Sequence, residues 1–161
     1  PATAAPQLVP GSSSLGPVYG VPFGSMTATN LMAIVRSSGA DALRTTPWRL
    51  FVLEGGQAVE SDTFIADPAD PLLDIAACPG APYCLSSTVD TRQLARDIAS
   101  TMTGALHVSG CTKGCAHPSS AAIALVGREG RFDMVRDGCA WDLPEETGLS
   151  PADVRARLGR V

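Results

Sequence analysis

Two pairs of cysteines, each set in a loop rich in glycine and proline, constrain the fold of this chain more than any other feature. Cys78 and Cys84 form a C-x5-C pair, and Cys111 and Cys115 form a C-x3-C pair. The second pair lies in the stretch HVSGCTKGCAHP, which also holds both histidines of the chain and its only lysine. Such crowding of ligand-type side chains predicts a binding site that brings the two loops together.

Thiolates from two loops can hold either one tetrahedral metal ion or a 4Fe–4S cluster. Structural zinc favours tight C-x2-C spacing, whereas both spacings here are wider and suit a larger object. Soft thiolates also favour iron–sulfur or copper centres over hard cations. The residues therefore favour an iron–sulfur cluster, and a zinc-stabilised module without catalysis is the alternative. The fifth cysteine, Cys139, has no cysteine near it in sequence, and we expect a structural role for it.

Charge and hydropathy exclude several partners and compartments. The formal net charge is -4 and the pI is near 5.0, so the surface offers little to a polyanion and we expect no nucleic-acid partner. No apolar run approaches the roughly 20 residues that cross a bilayer, so we expect no membrane partner. No basic segment followed by an apolar one opens the chain, as a signal peptide would. We therefore expect a cytoplasmic protein.

Predicted helices and strands alternate along the chain and indicate an α+β or mixed α/β fold. The first 14 residues are rich in Pro, Ala, Ser and Gly and are typical of a linker, or of a fragment entered at a linker. Caps and apolar spacing place the elements that follow. The predicted elements are helices over 27–39, 90–102 and 150–158, strands over 47–53 and 105–109, a short strand before Cys78, and a hairpin that turns at 128–130.

The cysteine motifs resemble those of the siroheme-type sulfite and nitrite reductases, and most closely those of the precorrin-3B synthase branch. The segments ACPGAPYC and HVSGCTKGCAHP carry this likeness. Thr112 and Lys113 stand where the reductases usually have Pro-Asn. The segments VPFGSMTATNLMAIV, ALRTTPWRLFVL and GLSPADVRARL extend the likeness over nearly the whole chain after the linker. The resemblance implies a ferredoxin-like half domain of the nitrite/sulfite reductase type over 15–70 and a 4Fe–4S-binding domain over 71–161.

The resemblance also implies a cofactor and a reaction. It implies a 4Fe–4S cluster on Cys78, Cys84, Cys111 and Cys115, and a monooxygenase that uses O2 and an electron donor to convert precorrin-3A to precorrin-3B. A non-haem iron is expected in this branch, with ligands that the sequence does not identify. The family pattern has two half domains, so an N-terminal half is missing and this chain is expected to be inactive alone. The alternative within the superfamily is a sulfite or nitrite reductase that carries siroheme, with its iron bridged through Cys115.

An acidic tetrapyrrole requires local cations, and arginine binds carboxylates through a bidentate fork. Arg44 and Arg49 are the candidates for substrate binding, because related reductases have a basic residue in this segment. Lys113 lies between two expected ligands and is a candidate for contact with cluster or substrate. His117 is a candidate catalytic residue, and His107 is a weaker one. Trp48 is expected in the core.

Overall fold

The computed structural model describes residues 8–102 and 104–159 and divides into two compact units between Leu73 and Asp74. The first unit contains a four-stranded antiparallel sheet in the order β1-β2-β4-β3 and one helix. Its elements are β1 (Gly11–Ser12), β2 (Pro17–Gly20), α1 (Ala28–Ser38), β3 (Ala42–Thr45) and β4 (Leu50–Glu54), with 3₁₀ turns at Pro22–Gly24 and Pro71–Leu73.

The helix of the first unit begins and ends where its caps predict. The Thr27 side chain accepts a hydrogen bond from the Asn30 backbone N–H, and Gly39 ends α1 in the left-handed conformation, with φ 65°. Phe51 of β4 is fully buried, stacks on Tyr19 and meets Phe64 edge to face. Ile34 of α1 is buried in the same cluster. Three of the few aromatic side chains thus form the centre of this core.

Strand β1 was not predicted, and strand β4 is displaced from its predicted position. Gly11 and Ser12 lie in the segment predicted as a linker, yet they pair with Val18 and Pro17 of β2; residues 1–7 of that segment lie outside the described residues. The strand predicted over 47–53 is displaced, because residues 46–49 form the turn between β3 and β4. Arg49 has φ 58° in this turn, which a regular strand does not allow.

The buried hydroxyl of Tyr19 anchors the connection that follows β4. It donates to the Val59 carbonyl at 2.7 Å and accepts from the Val59 N–H at 2.8 Å. We expect Tyr19→Phe to lower the free energy of unfolding by about 1–3 kcal/mol, because two backbone groups lose their partner. Urea unfolding measures this effect. Tyr83→Phe is the matched control, since that side chain is 83% exposed and should leave stability unchanged; equal effects of both changes would contradict the prediction.

The second unit contains a five-stranded mixed sheet in the order β5-β6-β7-β8-β9. Strands β5, β6 and β7 are parallel, and β7, β8 and β9 are antiparallel. Leu94 and Ile98 of α2 and Val154 and Leu158 of α3 are buried. The elements are β5 (Ile75–Ala77), α2 (Thr91–Ile98), a 3₁₀ turn at Ala99–Thr101, β6 (Leu106–Ser109), β7 (Ala121–Arg128), β8 (Arg131–Gly138), β9 (Glu146–Leu149) and α3 (Pro151–Leu158).

Local sequence signals explain most of these elements. Asp90 caps α2, and Ser150 and Asp153 form a capping box at the start of α3. Glu129 and Gly130 both have positive φ, as a two-residue hairpin turn between β7 and β8 requires. The helix predicted over 90–102 ends earlier, at Ile98, and continues as a 3₁₀ turn. Among the described residues, no helix combines the length and apolar character needed to cross a membrane. The mixed α+β class is confirmed.

Candidate functional site

Both cysteine pairs begin at the same edge of the second sheet. Cys78 directly follows β5, and Cys111 follows β6 after Gly110. These strands are parallel neighbours, with Ala77 paired to Val108. Carboxyl ends of adjacent parallel strands meet at one edge, which is where α/β sheets commonly bind ligands. The helix α2 connects the two strands and allows this parallel arrangement.

Direct hydrogen bonds join the two cysteine loops. The Gly110 N–H donates to the Sγ atom of Cys78 at 3.1 Å, and the Cys78 N–H donates to the Val108 carbonyl at 3.3 Å. Further out, the Nζ atom of Lys113 donates to the Ser86 hydroxyl at 3.1 Å. The side chain predicted to contact cluster or substrate therefore connects the second loop to the first.

The first loop folds back on itself through backbone contacts. The Cys84 N–H donates to the Gly80 carbonyl at 2.8 Å, and the Thr91 hydroxyl donates to the Cys78 carbonyl at 2.6 Å. Gly80 has φ 65°, and a Cβ atom there would lie 2.6 Å from the Thr91 Oγ1 atom. A side chain at this position would therefore strain the turn that returns the chain towards Cys84.

An aromatic side chain that the sequence reasoning missed packs on the second loop. Gly114, between Cys111 and Cys115, has φ 64°, and a Cβ atom there would lie 2.9 Å from the Trp141 ring. Trp141 follows β8 and is 52% exposed. No spacing signal connects it with the cysteines, because the contact depends on how β8 ends. Cys139 lies in the same turn, where its N–H donates to Asp142.

The five cysteines are free thiols and differ in exposure. Cys78 is buried, Cys84, Cys111 and Cys139 are half-buried, and Cys115 is exposed. Within residues 8–102 and 104–159, no three His, Cys, Asp or Glu side chains form a group that could hold one metal ion. The structure thus brings the loops of the two pairs to one edge and joins Cys78 to the second loop. Ligation by the four cysteines stays a prediction.

The two histidines bracket the second cysteine loop and touch each other. Their ring centroids are 5.7 Å apart, and the planes meet at 64°. His107 is fully buried in β6, and neither ring nitrogen has a hydrogen-bond partner in the described part of the chain. Burial, with a smaller contribution from His117, lowers the pKa of His107 to about 4. His117 is half-buried, and its Nε2 atom lies 3.2 Å from the Ser120 carbonyl.

The depressed pKa of His107 predicts an acid-sensitive fold. The unfolded state takes up a proton near pH 6.5, whereas the folded state does so only near pH 4. Between these values the unfolded state binds more protons, so stability falls as the pH falls, by about 3 kcal/mol in total. Urea unfolding at pH 7.5 and 4.5 measures this loss. His107→Leu should show a smaller loss by about that amount, and an identical loss in both proteins would contradict the prediction.

The arginines predicted to bind substrate lie in the first unit. Arg44 is exposed on β3 and forms an ion pair with Glu54 of β4. The guanidinium of Arg49 donates from its Nη2 atom to the Leu73 carbonyl at 2.6 Å. Both side chains thus have partners within their own unit, and their role towards a substrate stays a prediction. The expectation that Trp48 is in the core is wrong, because the side chain lies in the turn before β4 and is 53% exposed.

No protein-family model matches the chain. A Sinorhizobium sp protein named precorrin-3B synthase is 31% identical over the whole of this chain, which spans about 40% of the length of that relative. The solved structure of the Mycobacterium tuberculosis NirA protein matches 99% of this chain and 39% of its own, with a TM-score of 0.61 and 16% identity. The resemblance seen in the cysteine motifs is thereby confirmed: this chain is similar to part of a protein named precorrin-3B synthase and shares the fold of the NirA protein.

Proposed function

We propose that this chain is the cluster-bearing part of a cytoplasmic precorrin-3B synthase, an enzyme of cobalamin biosynthesis. The reaction inserts one atom of O2 at a meso carbon of precorrin-3A, and a peripheral acetate closes to a lactone. The second oxygen atom leaves as water after taking up two electrons and two protons, and the electrons come from a separate donor. The observation that carries the proposal is the meeting of both cysteine loops at one sheet edge.

The residues at this edge suit an iron–sulfur cluster. Cys78, Cys84, Cys111 and Cys115 supply four soft thiolates of the type such clusters require. The Gly110 N–H already donates to a cysteine sulfur, and backbone bonds of this kind tune a cluster's potential. Gly110 also has no room for a side chain, since a Cβ atom would lie 2.4 Å from the Ser87 hydroxyl. When bound, a 4Fe–4S cluster would supply one-electron transfer.

Basic side chains of the chain would meet the charges of cluster and substrate. Lys113, between Cys111 and Cys115, would offset the negative charge of the thiolates. Arg44 and Arg49 would bind carboxylate arms of the tetrapyrrole through their guanidinium groups. His117, next to the second cysteine pair and half-exposed, would hold or move a proton.

The complete enzyme requires more than this chain. Since the chain spans about 40% of the precorrin-3B synthase that it matches, we propose that an N-terminal half domain supplies the rest of the substrate pocket. A non-haem iron expected in this branch would be held there or at the interface with it.

Anaerobic purification of the full-length protein tests the proposal. Iron, acid-labile sulfide and the EPR spectrum are measured first, and turnover of precorrin-3A under oxygen follows. We expect about four iron and four sulfide per chain for one cubane, with oxygen-dependent formation of the lactone. A siroheme absorption band would contradict the proposal and indicate a sulfite or nitrite reductase. About one zinc with no iron or sulfide would replace it with a zinc-stabilised module.

A further inference from the structure

His107 is the one side chain of the candidate site whose polar atoms are all buried without a partner. Its exposure is zero, and both ring nitrogens lack a hydrogen bond within residues 8–102 and 104–159. Buried polar groups in native proteins are nearly always hydrogen-bonded, and leaving one unpaired costs stability. Phenylalanine or leucine has a side chain of comparable size and would fill this position without leaving a polar atom unpaired. The stability cost of keeping these unpaired ring nitrogens therefore indicates that they hydrogen-bond a group outside the described chain.

The position of His107 connects it with the cysteine loops. Strand pairing sets Ala76, His107 and Ala124 side by side in a row across β5, β6 and β7. Because side chains alternate along a strand, Ser109 and Cys78 lie on the same face, two residues nearer the loops. That separation is roughly 7 Å at the usual rise per residue. The two alanines beside the imidazole are small, and they leave the ring as the only large polar group in the row.

His117 lies against the buried ring of His107. Its own Nε2 atom lies 3.2 Å from the Ser120 carbonyl, at the surface. Contact between a ligand and the buried ring would require the half-buried His117 side chain to rotate aside. A carboxylate on a flexible arm is the part of such a ligand that this contact would involve.

We infer that His107 is a ligand-contact residue, whose imidazole hydrogen-bonds a carboxylate arm of the acidic tetrapyrrole bound at the cysteine edge. This inference rests on the proposed function, because it requires that substrate class at this site. The imidazole is a hydrogen-bond donor with no competing partner in the described chain. A buried donor that lacks its acceptor discriminates strongly between ligands that supply one and ligands that do not.

Two variants test the inference, with uroporphyrin I, an octacarboxylic tetrapyrrole, as the binding probe. His107→Phe and His107→Leu both remove the nitrogens and keep an apolar side chain of comparable size. Full-length protein is titrated with the probe by fluorescence, and stability is measured by urea unfolding at pH 7.5. Met134→Leu is the matched control, because Met134 is fully buried in the same sheet and a conservative core exchange there is well tolerated.

The expected result combines unchanged or higher stability with weaker binding. Both His107 variants should be at least as stable as the wild type, and their Kd for the probe should rise at least ten-fold, whereas Met134→Leu should bind normally. Wild-type affinity in either His107 variant would overturn the inference and assign the nitrogens to internal water. Unfolding of both variants would also overturn it, because the nitrogens would then have partners within the protein. Iron and sulfide content, measured in the same samples, separates this outcome from failure of the proposed cluster.

Discussion

Replacing Cys111 with serine is expected to abolish both the iron–sulfur EPR signal and the oxygen-dependent turnover of precorrin-3A. The alcohol is a much poorer ligand for iron than a thiolate, so one corner of the cluster would lose its anchor. The loss should be complete in both measurements, because in the proposed function the electrons reach the substrate through the cluster. Iron analysis and EPR of anaerobically purified full-length protein check the first part, and product formation checks the second.

Cys139→Ser is the matched control for this change. Cys139 is also half-buried and free, but it lies in the turn after β8 and outside both cysteine motifs. We expect this variant to keep the cluster signal and most of the turnover. A Cys111→Ser protein with an unchanged signal would refute the ligand assignment. Loss of the EPR signal in Cys139→Ser, with stability retained, would show that Cys139 is needed to bind the cluster.

Gly110→Ala is expected to destabilise the second unit by about 1–3 kcal/mol, as overpacking of a tight interior does. The added Cβ atom would lie 2.4 Å from the Oγ atom and 2.7 Å from the Cβ atom of Ser87. Ser87 is buried and donates its hydroxyl to the Val89 carbonyl at 3.0 Å, so it cannot move aside freely. The backbone at Gly110 is outside the left-handed region, so the effect is purely steric. Urea unfolding measures the loss.

A double-mutant cycle isolates the clash between these two residues. Ser87→Gly removes both of the close atoms, at the cost of its own hydrogen bonds. The double variant should therefore lose less free energy of unfolding than the sum of the two single losses. The difference should be about 1 kcal/mol, as expected for residues in contact. Additive losses would show that the second loop tolerates a methyl group at Gly110 and that the close approach to Cys78 is not required.

Elements with strong local signals were predictable from the sequence. The caps Thr27, Asp90 and Ser150 each accept the hydrogen bond that their position predicts. The β7–β8 hairpin follows from two apolar runs around a turn at Glu129 and Gly130. In each case, a few neighbouring residues determine the geometry, and the sequence contains all of them.

Elements that depend on distant partners were not predictable. Strand β9 has the sequence ETGL and no apolar alternation, and it forms because β8 offers an unpaired edge. Trp48 is apolar, which suggested burial, but the turn at 46–49 directs it to solvent. At the site, the spacing of the cysteines predicted two loops that act together. The cysteine spacing contained no information on the contact between Trp141 and Gly114 or on the burial of His107. Both depend on how strands that are distant in the sequence are arranged in the sheet.

The β5–α2–β6 crossover has a consequence for the biosynthesis of the protein. Cys78 and Cys84 leave the ribosome before β6 and the second motif exist, and translation of the intervening stretch takes on the order of seconds. The first pair of thiols is therefore without its partners during synthesis, and only the parallel pairing of β5 with β6 brings the second pair to it. A group held by all four sulfurs would therefore bind only once β5 and β6 have begun to pair.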